Sequence, residues 1–200
     1  MTRPLPRLAG LAALLILAAC AGRPSVVDPD TAFVLDGTLT LQPQTTWDRE
    51  EEGLVETWTA RGRPLDKVAF LQGASDGDPL VYSFSYEYRF VQGNDDLSFP
   101  TFREGMTGLE VHDLYVASLT KIGITGISTR DVRPWQVDGH PGFRFEFSHH
   151  GDDGRKREGF AVGFVLDDEL WLITYTSGSL ASYEVYKDKV EALLASIKLR

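Results

Sequence analysis

The chain has 200 residues with 29 acidic and 20 basic side chains, a formal net charge of −9, and a single cysteine. Such a balance, with no basic run, argues against nucleic acid or an anionic lipid surface as a partner. One cysteine cannot close an intrachain disulfide, and a chain of this length buries a core without one.

The first residues read as an export signal. Arg3 and Arg7 precede an apolar run from Leu8 to Ala19 broken only by Gly10. That run is about a dozen residues, within the 7–15 of a signal-peptide core and short of the about 20 needed to span a bilayer. The small residues Ala18 and Ala19 then lead into Cys20. Leu17-Ala18-Ala19-Cys20 resembles the lipobox of bacterial lipoproteins. The resemblance implies that residues 1–19 are a lipoprotein signal peptide. It also implies that Cys20 is the lipid attachment site, with a diacylglyceryl group on its thiol and a further acyl chain such as palmitate on its amine. Two or more chains anchor a protein stably where one is marginal. No acidic residue follows Cys20 before Asp28. By the same resemblance, in a Gram-negative cell that favours the outer membrane, facing the periplasm.

Residues 20–32 carry Pro24, Ser25, Asp28, Pro29 and Asp30 and read as a lipidated tether. Residues 33–200 then read as one domain. Thr38 to Leu41 forms a first strand, and Trp47 opens a second extended piece. Leu54 to Ala60 alternates into the Arg61-Gly62-Arg63-Pro64 turn. Val68 to Leu71 is a short strand ended by Gly73 and the Asp76-Gly77-Asp78-Pro79 turn.

Tyr82, Phe84, Tyr86, Tyr88 and Phe90 occupy alternate positions, so a strand would put five aromatics on one face. That face either packs on the core or grips a ligand. Thr107-Gly108-Leu109-Glu110 fits a capping box and starts a helix to about Lys121, with Leu109, Leu114, Val116 and Ala117 inward and Gly123 as the stop. Ile124 to Val132 is extended, and Gly139-His140-Pro141-Gly142 turns the chain.

Phe143, Phe145 and Phe147 alternate with Arg144, Glu146 and Ser148 up to a hairpin tip at His149 to Gly154. Phe160, Val162, Phe164 and Leu166 alternate on the return, and Asp167-Asp168-Glu169 turns into Leu170 to Thr176. This predicts a three-stranded antiparallel meander. A helix beginning near Ser179 closes the chain, with Tyr183, Tyr186, Val190, Leu193, Leu194 and Ile197 on its buried face. Lys187 and Glu191 form an i,i+4 pair opposite. The fold class that follows is α+β, a mostly antiparallel sheet covered by helices.

Candidate chemistry is sparse. His149-His150-Gly151-Asp152-Asp153 gathers potential metal ligands, but at a hairpin tip neighbouring side chains diverge. Asp48 to Glu52, Asp95-Asp96 and Asp167-Asp168-Glu169 lack the alternating spacing of an EF-hand loop and read as solvated turns. His112-Asp113 reads as helix surface, and Ser177-Gly178-Ser179 as a helix start. There is no G-x-S-x-G, no H-E-x-x-H and no phosphate loop; Gly159 and Gly163 lie within a strand pattern. No catalytic residue, metal site or cofactor is expected, and the chain reads as no enzyme. A hydrolase or metal enzyme using His140, His149 or His150 is the weakest alternative.

Several pieces together resemble PsbP-like domains. They are Leu41-Gln42-Pro43 followed by Trp47, Gly139-His140-Pro141-Gly142-Phe143 entering a strand, the meander to Tyr175, and a last helix ending Leu194-Ala195-Ser196-Ile197-Lys198. The resemblance spans roughly residues 38–200. It implies an α-β-α sandwich used for binding or assembly without catalysis. The expectation is a membrane-anchored lipoprotein that binds or helps assemble another cell-envelope protein. The alternative is a small-molecule or lipid binder that uses the Tyr82 to Phe90 face.

Overall fold

Alternating apolar residues on long strands build one large sheet. The computed structural model describes residues 25–80, 99–151 and 153–200. In chain order its elements are β1 (Ser25–Val27), β2 (Phe33–Leu35), β3 (Leu39–Leu41), β4 (Trp47–Glu52), β5 (Val55–Ala60) and β6 (Arg63–Ala74). Then follow α1 (Gly108–Lys121), β7 (Thr125–Val137), β8 (His140–His150), β9 (Lys156–Leu166), β10 (Glu169–Thr176), α2 (Leu180–Ala195) and β11 (Lys198–Leu199). Eight strands pair antiparallel in the order β1-β4-β5-β6-β10-β9-β8-β7, and β11-β3-β2 form a small second sheet. The fold is α+β, as expected.

The period of two sorts side chains into two cores. Phe143, Phe145 and Phe147 of β8 lie opposite Gly163, Ala161 and Gly159 of β9 and join Leu71, Leu172 and the buried face of α1. Phe160, Val162 and Phe164 point the other way and join Trp58, Phe70, Tyr175, the small sheet and the stripe of α2. Both helix starts follow their sequence signals. Thr107 and Glu110 form the reciprocal capping box of α1, and Ser179 caps α2 through the Ser182 amide. Gly123, at a φ of 87°, ends the first helix.

The structure corrects several expectations. Ser25 to Val27, placed in the tether, is strand β1, with Val27 buried against the core. Asp48 to Glu52 is not a turn but most of β4, paired along its length with β5; beyond Arg49, where β1 ends, Glu50 to Glu52 keep their side chains in water while the backbone stays paired. Val68 to Leu71 is the middle of the twelve-residue β6, which runs through Gly73. The meander has four strands, because β7 extends to Val137 and pairs with β8.

On α1 the inward residues are Val111, His112, Leu114, Tyr115, Ser118 and Leu119, while Leu109 is 59% exposed and Ala117 is also exposed. The helix is rotated because Tyr115 packs edge-on to Phe145 and beside Phe147. Gly108 allows the approach, since a Cβ there would lie 2.6 Å from that of Phe143. The stripe of α2 is buried as expected, apart from a half-buried Tyr186. Glu191, however, pairs with Arg144 of β8 and not with Lys187.

Candidate functional site

Cys20, Asp95-Asp96 and the aromatic series Tyr82, Phe84, Tyr86, Tyr88 and Phe90 lie outside the described residues. The histidines are separated by the fold. His112, expected at the surface, is buried edge-on against Phe145, with Nδ1 2.9 Å from the Asp113 carboxylate. His149, expected at a hairpin tip, is buried within β8 and stacked beside Phe147, while His150 is exposed. Burial pushes the His149 imidazole below its ordinary 6.5. His140 Nε2 lies 2.6 Å from the Val165 carbonyl oxygen.

Among the described residues no three His, Cys, Asp or Glu side chains converge as metal ligands. The Ser177 hydroxyl donates to the Glu158 carbonyl and Ser179 caps α2, so both serines serve the backbone.

A groove of about 650 Å³ runs along α1 beside the segment that leads into it. Phe99, Pro100, Met106 and Leu114 give it an apolar lining, and Arg103 and Glu110 stand among the polar lining residues. Glu110, Leu114 and Ala117 share one side of the helix at three- and four-residue spacing. The lining suits an apolar or aromatic group with polar ends.

The opposite face of the sheet carries buried charges that the sequence reading missed. Arg144 has a side chain only 2% exposed, with Nη2 2.7 Å from Glu191 of α2. Its guanidinium carbon lies 4.2 Å from the centre of the Phe160 ring and 5.1 Å from that of Trp135. Glu56, also buried, accepts from Arg49 Nε at 2.6 Å and Nη2 at 2.8 Å and from the Trp58 indole. Asp66 accepts from the Ser182 hydroxyl at 2.8 Å and the Gly178 amide at 3.1 Å, and Arg63 donates to Ser182.

These groups tie α2 to β6 and β8 and β4 to β5; Arg144 and Glu56 each face an opposite charge, while Asp66 is held by a hydroxyl and an amide. Two buried tyrosines border them. Burial and then Glu146 push the Tyr183 hydroxyl up to about 12, and burial and then Asp66 raise that of Tyr175 further. A lone Arg between Phe143 and Phe145 was the available signal, since a strand covered on both faces buries even its polar alternates.

No protein-family model matches the chain, and no curated protein matches it significantly. Solved structures do. The cyanobacterial PsbP, CyanoP, of Synechocystis sp. PCC 6803 aligns over 92% of this chain and 99% of its own, with a TM-score of 0.51 at 11% identity. A Pseudomonas aeruginosa protein of unknown function aligns over 85% of this chain and 96% of its own, with a TM-score of 0.48 at 10% identity. LpqN of Mycobacterium tuberculosis, involved in cell envelope biogenesis, aligns over 91% of this chain and 87% of its own, with a TM-score of 0.38 at 9% identity. The fold is PsbP-like. At these identities the likeness speaks for fold alone.

Proposed function

We propose that this chain is a non-enzymatic lipoprotein, anchored through Cys20 to the outer membrane and facing the periplasm. Its PsbP-like domain, read as an α-β-α sandwich, binds or helps assemble another cell-envelope protein. The observation that carries the reading is Leu17-Ala18-Ala19-Cys20 at the end of an apolar run, a few residues before a folded domain begins. The PsbP-like fold supports a binding role.

The test is crosslinking in intact cells, purification of the tagged protein from membranes, and mass spectrometry. A stoichiometric envelope protein that is lost in Cys20→Ser is the expected result. Recovery of the protein alone counts against assembly, and a Cys20→Ser protein that stays in the membrane fraction counts against the anchor.

The groove along α1 favours one second reading, a small-molecule or lipid binder, with the aromatic series Tyr82 to Phe90 as the face that the sequence offers for it. A ligand that binds the native state raises the melting temperature. An unchanged melting temperature across a lipid and metabolite panel would remove this reading.

A further inference from the structure

The tether between lipid and fold is far shorter than the composition of residues 20–32 implies. β1 pairs Ser25, Val26 and Val27 with Arg49, Asp48 and Trp47, so the domain is already sheet at Ser25. Four residues, Ala21 to Pro24, separate that strand from Cys20. Fully extended, such a stretch spans roughly 17 Å between its flanking residues. β1 is also the outermost strand of the sheet. Ser25 stands opposite Arg49, three residues from the end of β4 at Glu52, so the anchor enters beside the β4–β5 turn at Gly53 and Leu54.

The diagonally opposite corner of the sheet is the β8–β9 turn. By the strand register Glu52 is level with Phe143, seven residues before His150 and five strand spacings from β8, so that turn begins roughly 33 Å away at ordinary strand dimensions. The anchored end carries Glu51 and Glu52, and the β9–β10 turn at the same end adds Asp167 and Asp168. These carboxylates give an anionic lipid surface no electrostatic reason to bind. Apposition must then come from the acyl chains and the short tether.

We propose that β1 fixes the membrane-facing surface of this protein: the bilayer meets the β1–β4 corner, and the β8–β9 corner with Arg155 and Lys156 is held away from it in the periplasm. This rests on the anchor reading and adds an orientation to it. Any envelope partner outside the membrane then meets the β8–β9 side first.

The test uses the full lipidated chain, purified from bacterial membranes and reconstituted into vesicles of phosphatidylethanolamine and phosphatidylglycerol that carry a headgroup energy acceptor. Cys20 is the only natural thiol and acylation blocks it, so one added cysteine takes the donor dye. Glu51→Cys labels the near corner and Arg155→Cys the far one; their side chains are 57% and 79% exposed, so neither change disturbs the core.

The expected result is transfer about twofold or more higher from position 51 than from 155, given the roughly 30 Å between them, four strand spacings across and seven residues along. Inserting about twenty flexible residues after Ala21 should erase the difference. Equal or reversed transfer in acylated protein overturns the orientation while leaving the anchor intact. A difference that survives the long tether also overturns it, because some other surface would then set the pose. Intact mass separates the two readings: purified protein without acyl chains on Cys20 removes anchor and orientation together.

Discussion

Arg144 of β8 and Glu191 of α2 meet at 2.7 Å across the seam between sheet and closing helix, and Arg144 is the more deeply buried of the two. The pair is asymmetric in consequence. Removing the carboxylate strands a guanidinium between two aromatic rings, whereas removing the guanidinium leaves a carboxylate that can still reach water. Glu191→Ala should cost about 2–3 kcal/mol, less than the 3–5 of a fully buried pair because Glu191 is 37% exposed. Arg144→Met should cost less, and the double variant should recover part of the loss of Glu191→Ala. Urea unfolding midpoints measure all three. A Glu191→Ala variant as stable as the parent would show that the pair holds nothing.

Acid should loosen the far corner of the sheet through His149. Its imidazole is buried beside Phe147, and burial first, with Arg157 and His150 adding to it, depresses its pKa below 6.5. The unfolded chain therefore takes up this proton at a higher pH than the folded one. Stability is full above 6.5 and falls as the pH drops from there towards the lowered folded value, below which the loss stops growing. His149→Gln removes this proton uptake. Its melting temperature should fall less than the parent's between neutral and mildly acidic buffer. Parallel curves for the two proteins would refute the assignment.

Gly159 and Gly163 are packing positions. A Cβ at residue 159 would overlap the Tyr175 carbonyl oxygen and the Phe147 ring, and one at 163 would overlap the Phe143 ring. These glycines of β9 let the phenylalanines of β8 lie flat across the neighbouring strand. The Tyr175 carbonyl is ladder backbone and has no room to shift. Gly159→Ala should then destabilise by about 3 kcal/mol or more, at or beyond the usual cost of overpacking. Gly154→Ala, in the exposed turn with nothing within 4 Å of its Cβ but a φ of 71°, should cost only about 1 kcal/mol. Reversed ranks in thermal unfolding would contradict the register of β8 and β9.

What could be read in advance follows from where identity is local. The alternation of Phe143, Phe145 and Phe147, the Thr107–Glu110 box, the Ser179 cap and the stripe from Tyr183 to Ile197 each carry their structure within a few residues. β1 does not: Ser25 to Val27 is too short to show a period and becomes a strand only because β4 has an open edge. Asp48 to Glu52 reads as a turn from its acids alone, because β1 covers β4 only as far as Arg49 and Glu50 to Glu52 stand exposed beyond it. Leu109 and Ala117 were misplaced because the rotation of α1 is set by Tyr115 against Phe145, a contact made across the fold. The buried Arg144 was hidden for the same reason, since only the arrival of α2 covers its face. The groove beside Phe99 sets one side of α1 against the segment from Phe99 to Met106, a contact that the helix period alone does not announce.

The boundary of the folded domain is open to direct test. If residues up to Ala32 were only a tether, a chain begun at residue 33 would be as stable as one begun at residue 25. In the structure the shorter chain loses β1, uncovers the edge of β4, and removes Val27, which is 3% exposed against the core that holds Trp47. It also loses the Pro29 carbonyl that receives the Gln42 side-chain amide at 2.5 Å. Burial of one valine is worth about 1.5–3 kcal/mol, and the lost strand pairing adds to that. The chain begun at 33 should unfold at clearly lower urea than the chain begun at 25, with faster amide exchange along β4. Equal midpoints would return residues 25–32 to the tether, and the membrane-facing corner would then lose its fixed position.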